Sequence, residues 1–215
     1  MKLFLSSFFS GAAGLFDAFT GNTCAGKTAV FIPTASKPEK MAFYVGSDKK
    51  ALARLGMVVD ELDVSETAYG ETAERIAAAD YVFVGGGNTF FLLRELKRSG
   101  ADKLIVEHVR KGKLYIGASA GSMILSENIG YVKHMDSPAA APDLNGDFSA
   151  LAVVDFCVVP HAANFPFKRA VKKILTECSG TYDLRPISNN QAVTVDGGAV
   201  EILTAAGKKQ GLARE

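Results

Sequence analysis

The run Leu114-Tyr115-Ile116-Gly117-Ala118-Ser119-Ala120-Gly121-Ser122-Met123-Ile124-Leu125-Ser126-Glu127 decides how this chain is read. Leu114 to Ile116 is a short apolar strand, and Ser122 to Glu127 reads as the start of a helix. Between them lies G-x-S-x-G, in the strand-to-helix setting that a nucleophile elbow requires. Small neighbours let the chain turn sharply and leave the Ser119 hydroxyl exposed. The helix start brings backbone N–H groups to where negative charge is favoured, and the N–H of Ala120 points at a developing oxyanion. The same residue types would also serve a turn chosen only for tight packing.

Outward from this run, β-branched segments alternate with amphipathic ones. Strands are expected at Leu3 to Phe9, Thr28 to Pro33, Val58 to Val64, Tyr81 to Val84 and Val153 to Val159. Helical spacing covers Lys40 to Leu55, Glu71 to Ala79, Thr89 to Lys97, Ala101 to Lys111 and Arg169 to Cys178. Ala192 to Leu203 alternates around Asp196-Gly197-Gly198, a hairpin signal. Strand–helix–strand repetition predicts an α/β fold with a mostly parallel sheet and helices on both faces. With 215 residues and no linker or repeat, one domain over 1–215 is expected.

Composition narrows the function. Hydrophobic residues make up 48% and charged ones 22%, which is a globular balance with material for a core. A net charge of +1, with no charged block, argues against nucleic-acid and membrane-surface partners. Cys24, Cys157 and Cys178 lack metal-type spacing and read as reduced thiols, so a cytoplasmic chain with no metal is expected. Met1 to Phe19 is apolar, but one lysine and several interrupting Ser and Gly residues make a poor export signal. Gly21 to Thr28 matches G-x-x-x-x-G-K-[ST]. However, it comes before a strand, whereas a phosphate loop follows a strand and opens a helix, so no nucleotide partner and no cofactor is expected.

A serine nucleophile needs a base, and there are three histidines. His108 lies in a charged helical stretch and His134 in a loop. His161 follows the apolar strand that ends VVP, and in parallel sheets ligands collect beyond the carboxyl ends of strands. The acid that orients the base is sought among Asp136, Asp143, Asp147 and Asp155; Asp136 precedes the Ser137-Pro138 turn, and Asp155 lies within a strand, away from its carboxyl end. Gly85-Gly86-Gly87-Asn88 ends another strand and leaves backbone N–H groups free to meet a substrate oxygen.

With these segments in place, the chain resembles the peptidase E family, the α-aspartyl dipeptidases, in the serine peptidase clan that also holds cyanophycinases. The resemblance is carried by VFVGGGNTFFLLREL (82–96), YIGASAGSMI (115–124), MDSP (135–138) and VVPHAANFP (158–166). It implies a fold like that of class I glutamine amidotransferases and catalytic residues Ser119, Asp136 and His161. It also implies an oxyanion hole around Gly86, Gly87 and Ala120. The implied activity is hydrolysis of short peptides, dipeptides with N-terminal aspartate among them; separately, a monomer or homodimer is expected. The segment around Asp136 differs in length from the family pattern. The family's insert after the histidine motif, which holds an arginine for the acidic substrate side chain, is also missing. Lys168 and Arg169 follow closely instead and, with Asn88, are the substrate-binding candidates. Two other readings stand beside this one. An α/β-hydrolase esterase usually places its acid and histidine far downstream, whereas only 54 residues follow His161 here. A non-catalytic small-molecule binding module would keep the fold without a working triad.

Overall fold

The computed structural model describes residues 1–205. Five strands form the parallel part of the main sheet: β1 (Lys2–Ser6), β2 (Thr28–Ile32), β3 (Val58–Glu61), β4 (Tyr81–Val84) and β5 (Leu114–Ala118). A second set of two, β8 (Gln191–Asp196) and β9 (Ala199–Thr204), is the expected hairpin. It adds antiparallel to β1, giving the order β3-β2-β4-β5-β1-β8-β9. Two short strands, β6 (Cys157–Val159) and β7 (Leu184–Pro186), pair parallel in a separate small sheet.

The helices are α1 (Phe9–Phe19), α2 (Phe43–Arg54), α3 (Tyr69–Ala78), α4 (Thr89–Ser99), α5 (Ala101–Arg110), α6 (Ala120–Met123) and α7 (Lys168–Glu177). The central strands are apolar throughout because both faces are covered. Successive residues alternate between two clusters. On one face Phe4, Phe31 and Phe83 join Phe9 and Phe16 of α1, with Phe31 and Phe83 stacked at 4.9 Å and Phe9 edge-on to Phe83 at 5.0 Å. On the other, Leu3, Leu5, Val30, Ile32, Val82 and Val84 pack against Phe90, Leu93, Ile105 and Val109 of α4 and α5. Fully burying each such side chain contributes about 1.5–3 kcal/mol.

Four expectations need correction. Leu3 to Phe9 is not one strand: it ends at Ser6 and α1 starts at Phe9, because the Phe9/Ala12/Phe16 spacing buries one helical face against the sheet. The helix after Ser119 is a single turn, Ala120–Met123, not Ser122 to Glu127. The strand expected from Val153 is only Cys157–Val159, and it pairs with β7 rather than joining the main sheet. The strand expected over Val58 to Val64 stops at Glu61. The phosphate-loop look-alike connects α1 to β2, and Lys27 pairs with Asp80 at 3.1 Å at the amino end of β2. Among the described residues no helix is long and apolar enough to cross a membrane.

Candidate active site

All parallel strands run the same way, so the segments after Ser6, Ile32, Val84 and Ala118 emerge along one edge. Because β8 is antiparallel, its start lies on that edge too: Ala192 pairs with Ser6. Ser7, Ser119, the Gly85–Asn88 loop and the 188–190 turn therefore meet by topology.

Ser119 sits at φ 50°, ψ −107°, a strained backbone for a residue with a side chain. Its neighbours hold it there. The Ser119 N–H donates to the Ser6 carbonyl at 3.0 Å, which also accepts from Ser122 Oγ at 2.7 Å, and Tyr115 Oη donates to the Gly121 carbonyl at 2.7 Å. Only glycine fits two positions away on either side. A Cβ on Gly121 would lie 2.0 Å from the Val84 carbonyl oxygen, and one on Gly117 would lie 2.6 Å from that of Gly121. The small residues thus let the turn close against β4 and β5, and the turn in turn exposes the hydroxyl.

Ser119 Oγ stands 3.0 Å from Nε2 of His161. His161 also has positive φ, at 63°, and its ring stacks on Phe167 with centroids 4.6 Å apart. Its other ring nitrogen, Nδ1, lies 2.8 Å from Oδ1 of Asn189 and 3.1 Å from Oγ of Ser7. Ser7 ties the corner together: it accepts from the His161 backbone N–H at 2.7 Å and donates to Asn189 Oδ1 at 2.9 Å. With Nδ1–H donating to the amide oxygen, Nε2 is left to accept the serine proton. Burial pushes His161 below its ordinary pKa, with the Asn189 bond opposing, so the ring is neutral and basic at neutral pH.

Asp136 does not stand in the expected third place. One of its carboxylate oxygens accepts from both the backbone N–H and Oγ1 of Thr89, at 2.8 and 2.6 Å, capping α4, and Asn189 holds the position beside Nδ1. The group beside Nδ1 is none of the acids expected upstream of His161 but a neutral amide 28 residues downstream. The available signal was the hairpin: an antiparallel partner for β1 must begin on the catalytic edge. Asp143 lies in a surface turn 3.5 Å from Arg94, and Asp147 pairs with Lys97. His108 is buried against the Leu114 carbonyl, and His134 faces Glu177.

The glycine loop lies beside Ser119. A Cβ on Gly86 would approach Cβ of Ser119 to 3.3 Å, and one on Gly87, at φ 133°, would lie 2.1 Å from the Ala35 carbonyl oxygen. The flanking N–H groups of Gly85 and Asn88 are taken by the Ile32 and Ala35 carbonyls. Those of Gly86 and Gly87 make no hydrogen bond among the described residues, and the Ala120 N–H, first in α6, has no partner within the helix. Asn88 is not free to bind substrate as expected. Its Oδ1 caps α4 by accepting from the Phe91 N–H at 3.0 Å, and its Nδ2 donates to the Ser137 carbonyl at 3.1 Å. Lys168 and Arg169 are exposed at the start of α7, directly after the ring that stacks on His161.

The chain is similar to an uncharacterized peptidase of Listeria monocytogenes, 49% identical over 196 residues, covering 91% of this chain and 95% of that one. An uncharacterized peptidase of Pasteurella multocida is 49% identical over 195 residues, with 91% and 93% covered. The protein named Peptidase E of Streptomyces coelicolor is 36% identical over 145 residues, 67% of this chain and 55% of that one. A crystal structure of a Listeria monocytogenes protein, described as a candidate peptidase E, superimposes with TM-score 0.91 at 47% identity, covering 95% and 98%. The model of peptidase family S51 matches residues 6–203, nearly the whole described chain. With an elbow serine beside a neutral histidine, and relatives of this kind along its whole length, the chain belongs to peptidase family S51.

Proposed function

We propose that this peptidase hydrolyses short peptides through an acyl-enzyme on Ser119, with dipeptides bearing an N-terminal aspartate as a substrate class. The observation that carries the reading is the 3.0 Å contact between Ser119 Oγ and His161 Nε2 at the carboxyl edge of the sheet. In this reading His161 takes the serine proton as Oγ attacks the scissile carbonyl, and then gives it to the departing amine. Water, deprotonated by the same nitrogen, releases the acyl group as an acid. The N–H groups around Gly86, Gly87 and Ala120 face the developing oxyanion, and one such donor is worth about 3–4 kcal/mol of barrier.

Aspartate preference rests on the family resemblance and on two cations. Lys168 and Arg169 stand at the His161 side of the site, and a cation at a helix start is mildly unfavourable unless something uses it. A panel of dipeptides tests this. Asp-Leu should be cleaved faster than its uncharged isostere Asn-Leu, and Arg169→Met should erase the difference. Equal rates on the two in the unaltered protein would show that the acidic preference is absent.

A further inference from the structure

Ser7, the first residue after β1, stands in the middle of the protons around His161. Its side chain is buried, with 1% of the residue exposed. Ser7 Oγ lies 2.7 Å from the His161 backbone nitrogen, 2.9 Å from Oδ1 of Asn189 and 3.1 Å from Nδ1 of His161. Asn189 Oδ1 lies 2.8 Å from the same Nδ1. The three atoms Oγ, Oδ1 and Nδ1 thus form a triangle, and the protons within it decide which ring nitrogen is bare.

The amide of Asn189 does not decide this alone. Its backbone is pinned: the N–H donates to Oδ1 of Asn164 at 2.9 Å, and the carbonyl oxygen lies 2.5 Å from where a Cβ on Gly11 would stand. Its Nδ2, however, donates to no acceptor among the described residues. An amide oxygen facing the ring takes a proton from Nδ1 and leaves Nε2 free to accept from Ser119. The amide turned over offers an N–H to Nδ1 and puts the ring proton on Nε2, where it blocks proton transfer. Facing Nδ1 alone, the two orientations make one hydrogen bond each.

Ser7 breaks that balance. Its hydroxyl proton needs an acceptor, because a buried O–H left unpaired is costly. The His161 backbone N–H is a donor and offers it nothing. With Oδ1 in the corner, the protons on Oγ and on Nδ1 both have an acceptor. With Nδ2 there, the amide protons take Oγ and the Nδ1 lone pair, and the hydroxyl proton has none.

We infer that Ser7 is a positioning residue that sets the tautomer of His161: by demanding an acceptor at Asn189 it keeps the ring proton on Nδ1 and Nε2 basic. The inference rests on the reading of Ser119 as nucleophile and His161 as its base. The need arises from the neutral amide, since a carboxylate at that position accepts whichever way it is turned.

Nitrogen NMR on protein carrying isotope-labelled histidine reads the tautomer, with the His161 signals assigned by their loss in His161→Gln. Above the titration of this ring, the unaltered protein should show Nδ1 protonated and Nε2 bare, and Ser7→Ala should show both tautomers. Turnover completes the test as a double-mutant cycle. Ser7→Ala also removes the acceptor of the His161 N–H, but it does so in any background. Ser7→Ala should therefore lower kcat by about fivefold more in the Asn189 protein than in Asn189→Asp, with KM little changed in both. Equal losses in the two backgrounds, a ring proton on Nε2 in the unaltered protein, or Nδ1 fully protonated in Ser7→Ala overturns the inference. Fluorophosphonate labelling separates the failures: if Ser119 is labelled, any of these results removes only the role of Ser7, whereas without labelling the nucleophile reading falls first.

Discussion

Asn189 Oδ1 lies 2.8 Å from Nδ1 of His161, in the place where a serine hydrolase ordinarily puts a carboxylate. An amide oxygen fixes the tautomer and the ring orientation as a carboxylate does, but adds no charge to stabilise the imidazolium. Asn189→Ala should therefore lower kcat by about 10²-fold, with little change in KM, because the ring loses its anchor and keeps its position on Phe167. Asn189→Asp should stay active, and its carboxylate should raise the pKa of His161. Steady-state kinetics across pH on the two variants checks both outcomes.

The unaltered protein should show a single acidic limb that belongs to His161. Burial disfavours the imidazolium, so the ring loses its proton below the ordinary imidazole value of about 6.5. Activity needs the neutral ring: kcat/KM should rise with pH, reach half its maximum below about 6.5, and be flat by neutrality. In Asn189→Asp the limb should move to higher pH. A limb that does not respond to residue 189 would assign the titration elsewhere.

Much of this site was legible in the sequence, for reasons tied to particular residues. Gly117 and Gly121 around Ser119 announce an elbow because the packing of Gly117 on Gly121, and of Gly121 on Val84, admits nothing larger. Tyr81 to Val84 running into three glycines marks a buried strand that opens on the catalytic edge. His161 stands out in the sequence by its place after an apolar strand, although that strand belongs to the small sheet. Asn189 and Ser7 were not legible, because neither has a titratable side chain and their neighbours to His161 come from β1–β8 pairing across most of the chain. Asp136 is the acid that the resemblance implies. One of its carboxylate oxygens is taken by the start of α4, a contact 47 residues away that local pattern does not reveal.

Stability carries a signature of its own at Asp48. This residue of α2 is buried, accepts from the Ser10 N–H at 3.2 Å, and is raised by desolvation from 3.8 to about 7. Between those values the folded chain holds a proton that the unfolded chain has lost, so this group's contribution to stability falls as pH rises from about 4 to about 7. Asp48→Asn keeps an acceptor for Ser10 without the charge. Thermal unfolding should show the variant equal to the unaltered protein near pH 4 and more stable by up to ~4 kcal/mol, on the order of 10 degrees in Tm, above pH 7. A difference independent of pH would mean that Asp48 is paired and ionised in the folded state.

The most direct test of the whole account is intact-protein mass spectrometry after exposure to a fluorophosphonate, read beside peptide turnover by Ser119→Ala. One adduct per chain should form, on Ser119. Ser119→Ala should take none and should lose about 10⁴–10⁶ in turnover while keeping its fold. An adduct on another serine, or near-normal turnover by Ser119→Ala, would contradict the account.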